Sequence, residues 1–151
     1  LGCFCPNHGC IDNAIHTYAG IQLRNKCAEI MHGNVGETGK AKITPAYNLP
    51  CSYVIHTVGP IVAYSLTQKE CDDLKSCYLS CLKLAESYHL ESIAFCCIST
   101  GEFHFPPYEA AQIAIQTVKE YKEETKSKVK VIFNVFKDSD KNIYEELLRT
   151  A

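Results

Sequence analysis

The sequence predicts an α/β fold, a mainly parallel sheet covered on both faces by helices. Two observations carry this reading. SYVIHTV, SIAFCCI and VKVIFNV are nearly continuous apolar runs, the pattern of strands buried on both faces. Around them lie segments whose apolar residues recur every three or four positions, the period of an amphipathic helix. A chain of 151 residues is of single-domain size. No internal repeat, low-complexity tract or linker divides it, so residues 1–151 are expected to form one domain.

The elements follow in order. Asp12 can cap a helix whose apolar face is Ile15, Ala19, Leu23, Cys27 and Met31, with Gly33 as its stop. The turn-rich stretch HGNVGETG leads to a short strand at AKIT, and SYVIHTV is a strand ended by Gly59 and Pro60. A second helix spans about Gln68 to Tyr88, with Leu74, Cys77, Cys81, Leu84 and Tyr88 inward. SIAFCCIS is the next strand. The loop TGEFHFP then enters a helix through Pro107, with Ala110, Ala114, Val118 and Tyr121 inward. VKVIFNVF is a further strand, and after KDSD a last helix carries Ile143, Tyr144, Leu147 and Leu148.

In such folds ligands sit beyond the carboxyl ends of the strands. That rim collects Gly59 and Pro60, the Ser99–Gly101 segment, and Phe136 with Lys137. The loop before the Asp12 helix faces the same rim if a strand precedes it. The chain starts in a loop, short of such a strand.

Composition excludes several classes. Apolar residues make up 46% and charged residues 21%, with a formal net charge of −2. Acidic and basic residues are interspersed, so no nucleic-acid-binding surface is indicated. No apolar stretch approaches the roughly 20 residues that cross a bilayer, and no secretory signal is visible. Six of the ten cysteines (Cys27, Cys71, Cys77, Cys81, Cys96 and Cys97) fall inside periodic segments and read as small buried apolar residues. A reducing cytoplasm, rather than a disulfide framework, is therefore expected.

Two stretches carry chemistry. LGCFCPNHGC packs three cysteines and a histidine between Cys3 and Cys10. Thiolate and imidazole are soft ligands that zinc prefers, and short spacings let one loop supply several. Cys3, His8 and Cys10 would leave a fourth position open, as catalytic zinc requires, whereas adding Cys5 would close the shell into a structural site. The plainer alternative is idle thiols in a cysteine-rich chain. TGEFHFP is either an ordinary strand-to-helix turn or a phosphate cradle at a helix amino end, with Gly101 permitting close backbone approach.

Single residues divide similarly. Asp12 reads first as an N-cap and second as a group that positions a ribose or a water beside a metal. His16 and His56 read as interior histidines. His104 is the more exposed candidate, without a nameable partner. Phe136 reads by default as core, although an aromatic at the rim could stack on a base.

Together IDNAIHTYAGIQLRNKC, TGKAKITPAYNLPCSYVIHTVGP and ISTGEFHFPPYEAA resemble the macrodomain family, whose members bind ADP-ribose. The resemblance covers nearly the whole chain. It implies a three-layer α/β/α fold with a mixed, mainly parallel central sheet, here without the family's first strands. It implies that Ser99, Thr100, Gly101, Glu102, Phe103, His104 and Phe105 grip the diphosphate and distal ribose. It implies that Phe136 lies against adenine and Asp12 near the distal ribose.

Where most members carry a glycine run before that aspartate, this chain has GCFCPNHGC, which resembles a zinc-containing microbial branch. Those proteins are protein-ADP-ribose hydrolases, often encoded beside a sirtuin-type ADP-ribosyltransferase and a lipoylated carrier protein. The resemblance thus implies zinc on Cys3, His8 and Cys10, with Cys5 a bystander and Asp12 catalytic. The expected reaction is hydrolytic removal of mono-ADP-ribose from a modified protein. A non-catalytic ADP-ribose reader with a structural zinc is the alternative. Segments that contact the distal ribose and read adenine elsewhere in the family precede the region covered by Leu1 onward.

Overall fold

A computed structural model describes residues 10–151. Its elements are α1 (Ile11–Ala19), α2 (Ile21–Met31), β1 (Ala41–Pro45), β2 (Tyr53–Thr57) and α3 (Gln68–Ser87). They continue with β3 (Ser92–Phe95), α4 (Pro107–Thr125), β4 (Lys130–Phe133) and α5 (Asp138–Thr150). The α/β class expected from the sequence is the one observed.

Its sheet is less parallel than expected. β1 and β2 pair antiparallel, with Ile43 opposite Ile55, and β3 and β4 pair parallel, with Ala94 opposite Ile132. Among the described residues these are two separate two-stranded sheets. A seven-residue connection (46–52) is short enough to return β1 directly onto β2, whereas the β3-to-β4 connection carries a whole helix, as a parallel crossover must. Burial on both faces also fails in β4, where Ile132 is 44% exposed.

The long helix expected from Asp12 to Gly33 is two helices broken at Gly20, which has φ 96° and ψ 176°. The cause is tertiary. The carbonyl of Ala19 accepts the amide of Asn48 at 3.2 Å, which docks the 46–52 loop on the break. The apolar stripe survives the interruption, because Ala19, Leu23, Cys27 and Met31 are all buried.

α3 starts at a capping box, with the Glu70 carboxylate accepting the Thr67 amide at 3.0 Å. It buries Leu74, Cys77, Tyr78, Cys81, Leu82 and Ala85. Tyr88, expected inward, lies just past the helix end and is 46% exposed. Leu148 of α5 also proves exposed. α4 begins with Pro107 at its first turn, as the sequence implies. The main core joins α3, α4 and α5 to the strands, with the Tyr78 and Phe95 rings 4.8 Å apart and the Phe133 and Tyr144 rings 5.1 Å apart. A second, smaller cluster of Ala19, Leu23 and Cys27 seats α1 and α2 on Ile15, Leu49 and Val54. No described helix is long and apolar enough to cross a membrane.

Gly20 is required twice over, by its left-handed φ and by Asn48 Nδ2, which lies 2.8 Å from where a Cβ would stand. Gly20→Ala is expected to cost about 1–2 kcal/mol of stability. Urea denaturation measures it, and an unchanged midpoint would contradict the reading of this break.

Candidate functional site

The site is built at the amino end of α1. Cys10, not Asp12, is the N-cap: its backbone is extended, and its Sγ accepts the Asn13 amide at 3.4 Å. Asp12 therefore sits inside the first turn, where its carboxylate favours the positive end of the helix. One turn on, His16 brings Nε2 to 3.7 Å from Asp12 Oδ1, an electrostatic contact longer than a hydrogen bond. His16 is buried, as expected of a core histidine. Burial lowers its pKa against the opposing pull of the Asp12 carboxylate, and its Nδ1 has no hydrogen-bond partner.

Behind His16 lies His56, with the two ring centroids 6.4 Å apart. His56 is the satisfied interior histidine that its place in a strand implies. Its Nε2 lies 2.9 Å from Thr44 Oγ1 and 4.0 Å from Cys27 Sγ, and burial lowers its pKa to about 4.

Of the expected metal ligands Cys3, His8 and Cys10, only Cys10 lies among the described residues; Cys3 and His8 lie outside them, as does the expected bystander Cys5. Among the described residues no group of three or more His, Cys, Asp or Glu side chains could hold a metal ion. The chemistry of Cys10 fits a soft cation: its sulfur already acts as an acceptor, at a helix end whose partial charge suits an anionic ligand. The interior cysteines differ. Burial pushes Cys81 up to about 12 and Cys97 up to about 11, so these are inert thiols.

The loop between β3 and α4 is a compact turn. The amide of Thr100 donates to Cys97 O, that of His104 to Gly101 O at 3.1 Å, and that of Phe105 to Ser99 O at 2.9 Å. The Val62 amide donates to Phe103 O at 2.9 Å, and Phe105 is buried in the core. The amides of Gly101, Glu102 and Phe103 have no carbonyl partner among the described residues. Backbone amides without a partner in a turn that leads into a helix are the donor type that anions use. Within the segment expected over Ser99–Phe105, the Ser99 amide likewise has no carbonyl partner among the described residues, so four amides remain. A Cβ at Gly101 would meet nothing within 4 Å, so that face of the turn is open.

Phe136 corrects its default reading. It is 98% exposed at the start of α5 instead of in the core, free to meet a ligand at the rim.

Sequence reasoning placed Gly59 on the rim but missed its contact with Ser99. A Cβ there would collide with Ser99 Oγ and stand 2.8 Å from Ile98 Cγ2. Ser99 Oγ is itself buried without a hydrogen-bond partner. The Gly-Pro pair after SYVIHTV was legible as a strand stop on the rim, but not the need for glycine there, because the neighbour that demands it is 40 residues away.

This fold and rim define the class of protein. The Macro domain family model matches residues 3–114, and the chain belongs to that family. It is 54% identical over 149 residues to a protein-ADP-ribose hydrolase of Treponema medium. That alignment covers 97% of this chain and 57% of the relative, so the chain spans little more than half the relative's length. It superposes on the Oceanobacillus iheyensis macrodomain with ADP at a TM-score of 0.86 and 36% identity, covering 95% of this chain and 76% of that one. It also superposes on a Trypanosoma brucei macrodomain in complex with ADP-ribose at a TM-score of 0.83 and 36% identity, covering 93% and 57%.

Two expectations follow. Gly59→Ala forces Ser99 and with it the turn to shift, an overpacking cost of about 1–3 kcal/mol read as a lower urea midpoint. An unchanged midpoint would separate the two loops. For His56, the unfolded side chain takes a proton below about 6.5 and the folded one only below about 4. Its contribution is therefore full above pH 6.5 and lost as pH falls towards 4, a difference on the order of a few kcal/mol. Denaturation of wild type and His56→Gln across that window tests it; equal pH slopes would contradict the assignment.

Proposed function

We propose that the chain is the ADP-ribose-binding and catalytic domain of a protein-ADP-ribose hydrolase, acting on mono-ADP-ribosylated protein. The observation that carries this is the conjunction of a turn whose Ser99, Gly101, Glu102 and Phe103 amides lack a carbonyl partner with an aspartate in the first turn of a cysteine-capped helix. It stands in a chain 54% identical to a protein named for that reaction.

In this reading the amides of Gly101, Glu102 and Phe103 hold the diphosphate, and Phe136 lies against the adenine. Fixing both ends of the ligand holds its distal ribose in one place, which lowers the barrier by removing translational and rotational freedom in advance. Asp12 orients the distal ribose or accepts a proton from the attacking water. His16, buried one turn behind, restricts the Asp12 carboxylate on its inner side.

Cys3, His8 and Cys10 are assigned as ligands of zinc. When bound, zinc supplies Lewis acidity at the distal ribose. Cys5 is left outside the set. The protein belongs in the reducing cytoplasm, where its buried thiols persist. The lipoylated carrier protein expected from the resemblance is the acceptor to try first.

The test is release of free ADP-ribose from a mono-ADP-ribosylated protein, with and without a zinc chelator. Wild type should release it, and chelation should stop release. Asp12→Ala should lower kcat by about 10²–10⁴ with ADP-ribose affinity nearly kept. Cys10→Ala should lose zinc and activity together. Tight ADP-ribose binding without release would make the protein a reader, and release indifferent to chelation would make the metal structural.

A further inference from the structure

Beneath the turn that presents Asp12 lies a polar cluster sealed in an apolar face. Thr44 of β1 pairs with Val54 of β2, and His56 lies two residues on, so the three share one side of the hairpin. That side carries Val54 onto Ala19, Leu23 and Cys27. Thr44 is 1% exposed and His56 7%. Thr44 Oγ1 lies 2.9 Å from His56 Nε2, and Cys27 Sγ lies 4.0 Å from the same nitrogen. An apolar pair of similar shape would fill this interior about as well, because a buried hydrogen bond gains little net stability over its apolar replacement. The polar pair therefore calls for a use.

The use lies one residue further out. The His56 ring packs against that of His16, with centroids 6.4 Å apart and planes tilted by 37°, a separation at which aromatic rings interact. His16 is 4% exposed, and its Nδ1 is buried without a hydrogen-bond partner among the described residues. Burial lowers its pKa, so the ring is neutral at pH 7 and carries one proton. A proton on Nδ1 would be a buried donor with no acceptor and would turn the Nε2 lone pair towards a carboxylate. The proton therefore sits on Nε2, which faces Asp12 Oδ1 at 3.7 Å. No hydrogen bond fixes the Nδ1 side, so packing sets the orientation of the ring. His56, pinned by Thr44, is the ring packed against it.

We propose that Thr44 and His56 are positioning residues for the hydrolytic step, fixing the His16 ring so that its Nε2–H steadies the Asp12 carboxylate against the distal ribose. This rests on the hydrolase reading of the site. It extends the working part of the molecule from α1 into the β1–β2 hairpin, which touches no ligand.

The test measures release of ADP-ribose from a mono-ADP-ribosylated protein, affinity for free ADP-ribose and thermal unfolding, all in the full-length protein. Thr44→Val keeps the shape of the side chain and removes its hydroxyl. It should lower kcat about tenfold, since misplacing a reacting group by about 1 Å costs on the order of a hundredfold. ADP-ribose affinity should stay at the wild-type value. Thr44→Ser keeps the hydroxyl, so it should recover most of the kcat although the lost methyl lowers its melting temperature. His56→Gln removes the ring and should slow release as the valine variant does, which carries the test if Thr44→Val does not fold. Val118→Ala opens a cavity in the main core on α4 and should melt lower with kcat unchanged. In an Asp12→Ala background Thr44→Val should cost nothing further, because the group it positions is gone. Undiminished kcat in Thr44→Val and His56→Gln overturns the proposal. So does a serine variant as slow as the valine one, an equal fall in Val118→Ala, or a further loss without Asp12. Weakened ADP-ribose binding with kcat kept also overturns it, by assigning the pair to ligand binding. Failure of wild type to release ADP-ribose is a different result, and it removes the hydrolase reading beneath.

Discussion

The burial of one face of α3 is the constraint on which the rest of this molecule depends. β1 with β2 and β3 with β4 are not joined to one another by strand pairing among the described residues, so side-chain packing must hold the two sheets in register. α3 does this by touching both pairs and α4 at once. Each fully buried leucine on that face, Leu74 and Leu82, contributes about 1.5–3 kcal/mol, and the small Cys77, Cys81 and Ala85 let the helix come close. Ser76 and Ser80 then donate to the same carbonyl, Gly39 O, at 3.0 and 2.7 Å. Cys77 Sγ donates to Val58 O at 3.3 Å. These contacts fix the segments that flank the ligand rim.

The rim inherits its shape from that packing. Val62 reaches Phe103 through a backbone hydrogen bond, and Gly59 allows Ser99 to sit where a larger residue would exclude it. The loop after β2 and the loop after β3 therefore act as one surface. Within it, closing the turn on itself consumes the amides of Thr100, His104 and Phe105, which leaves those of Ser99, Gly101, Glu102 and Phe103 without a carbonyl partner among the described residues. The same economy operates at α1: Ala19 O turns from the helix to Asn48, and the break seats a short helix whose first turn presents Asp12.

Much of this was legible in the chain. The four-residue spacing from Ile15 to Met31 correctly marks the buried stripe, and the continuous apolar runs correctly mark three strands. Pro107 marks the start of α4. The interior character of His16 and His56 also followed from their apolar surroundings. What was not legible depends on partners far away in the sequence. Nothing near Gly20 announces Asn48, nothing near Gly59 announces Ser99, and Asp12 reads as the cap until the Cys10 sulfur is seen to accept the Asn13 amide. Phe136 reads as the end of an apolar strand, yet β4 closes at Phe133 and leaves it in solvent.

By itself, then, the sequence determined the kinds of element, their order and the family, because periodicity, caps and short motifs are local and survive without knowledge of packing. Only the tertiary structure decided how the strands pair, which amides remain free in the 99–105 turn, and which residues bear a left-handed backbone there. Those properties belong to contacts between segments, and the free energy that selects them is spent in bringing together groups that the chain keeps apart.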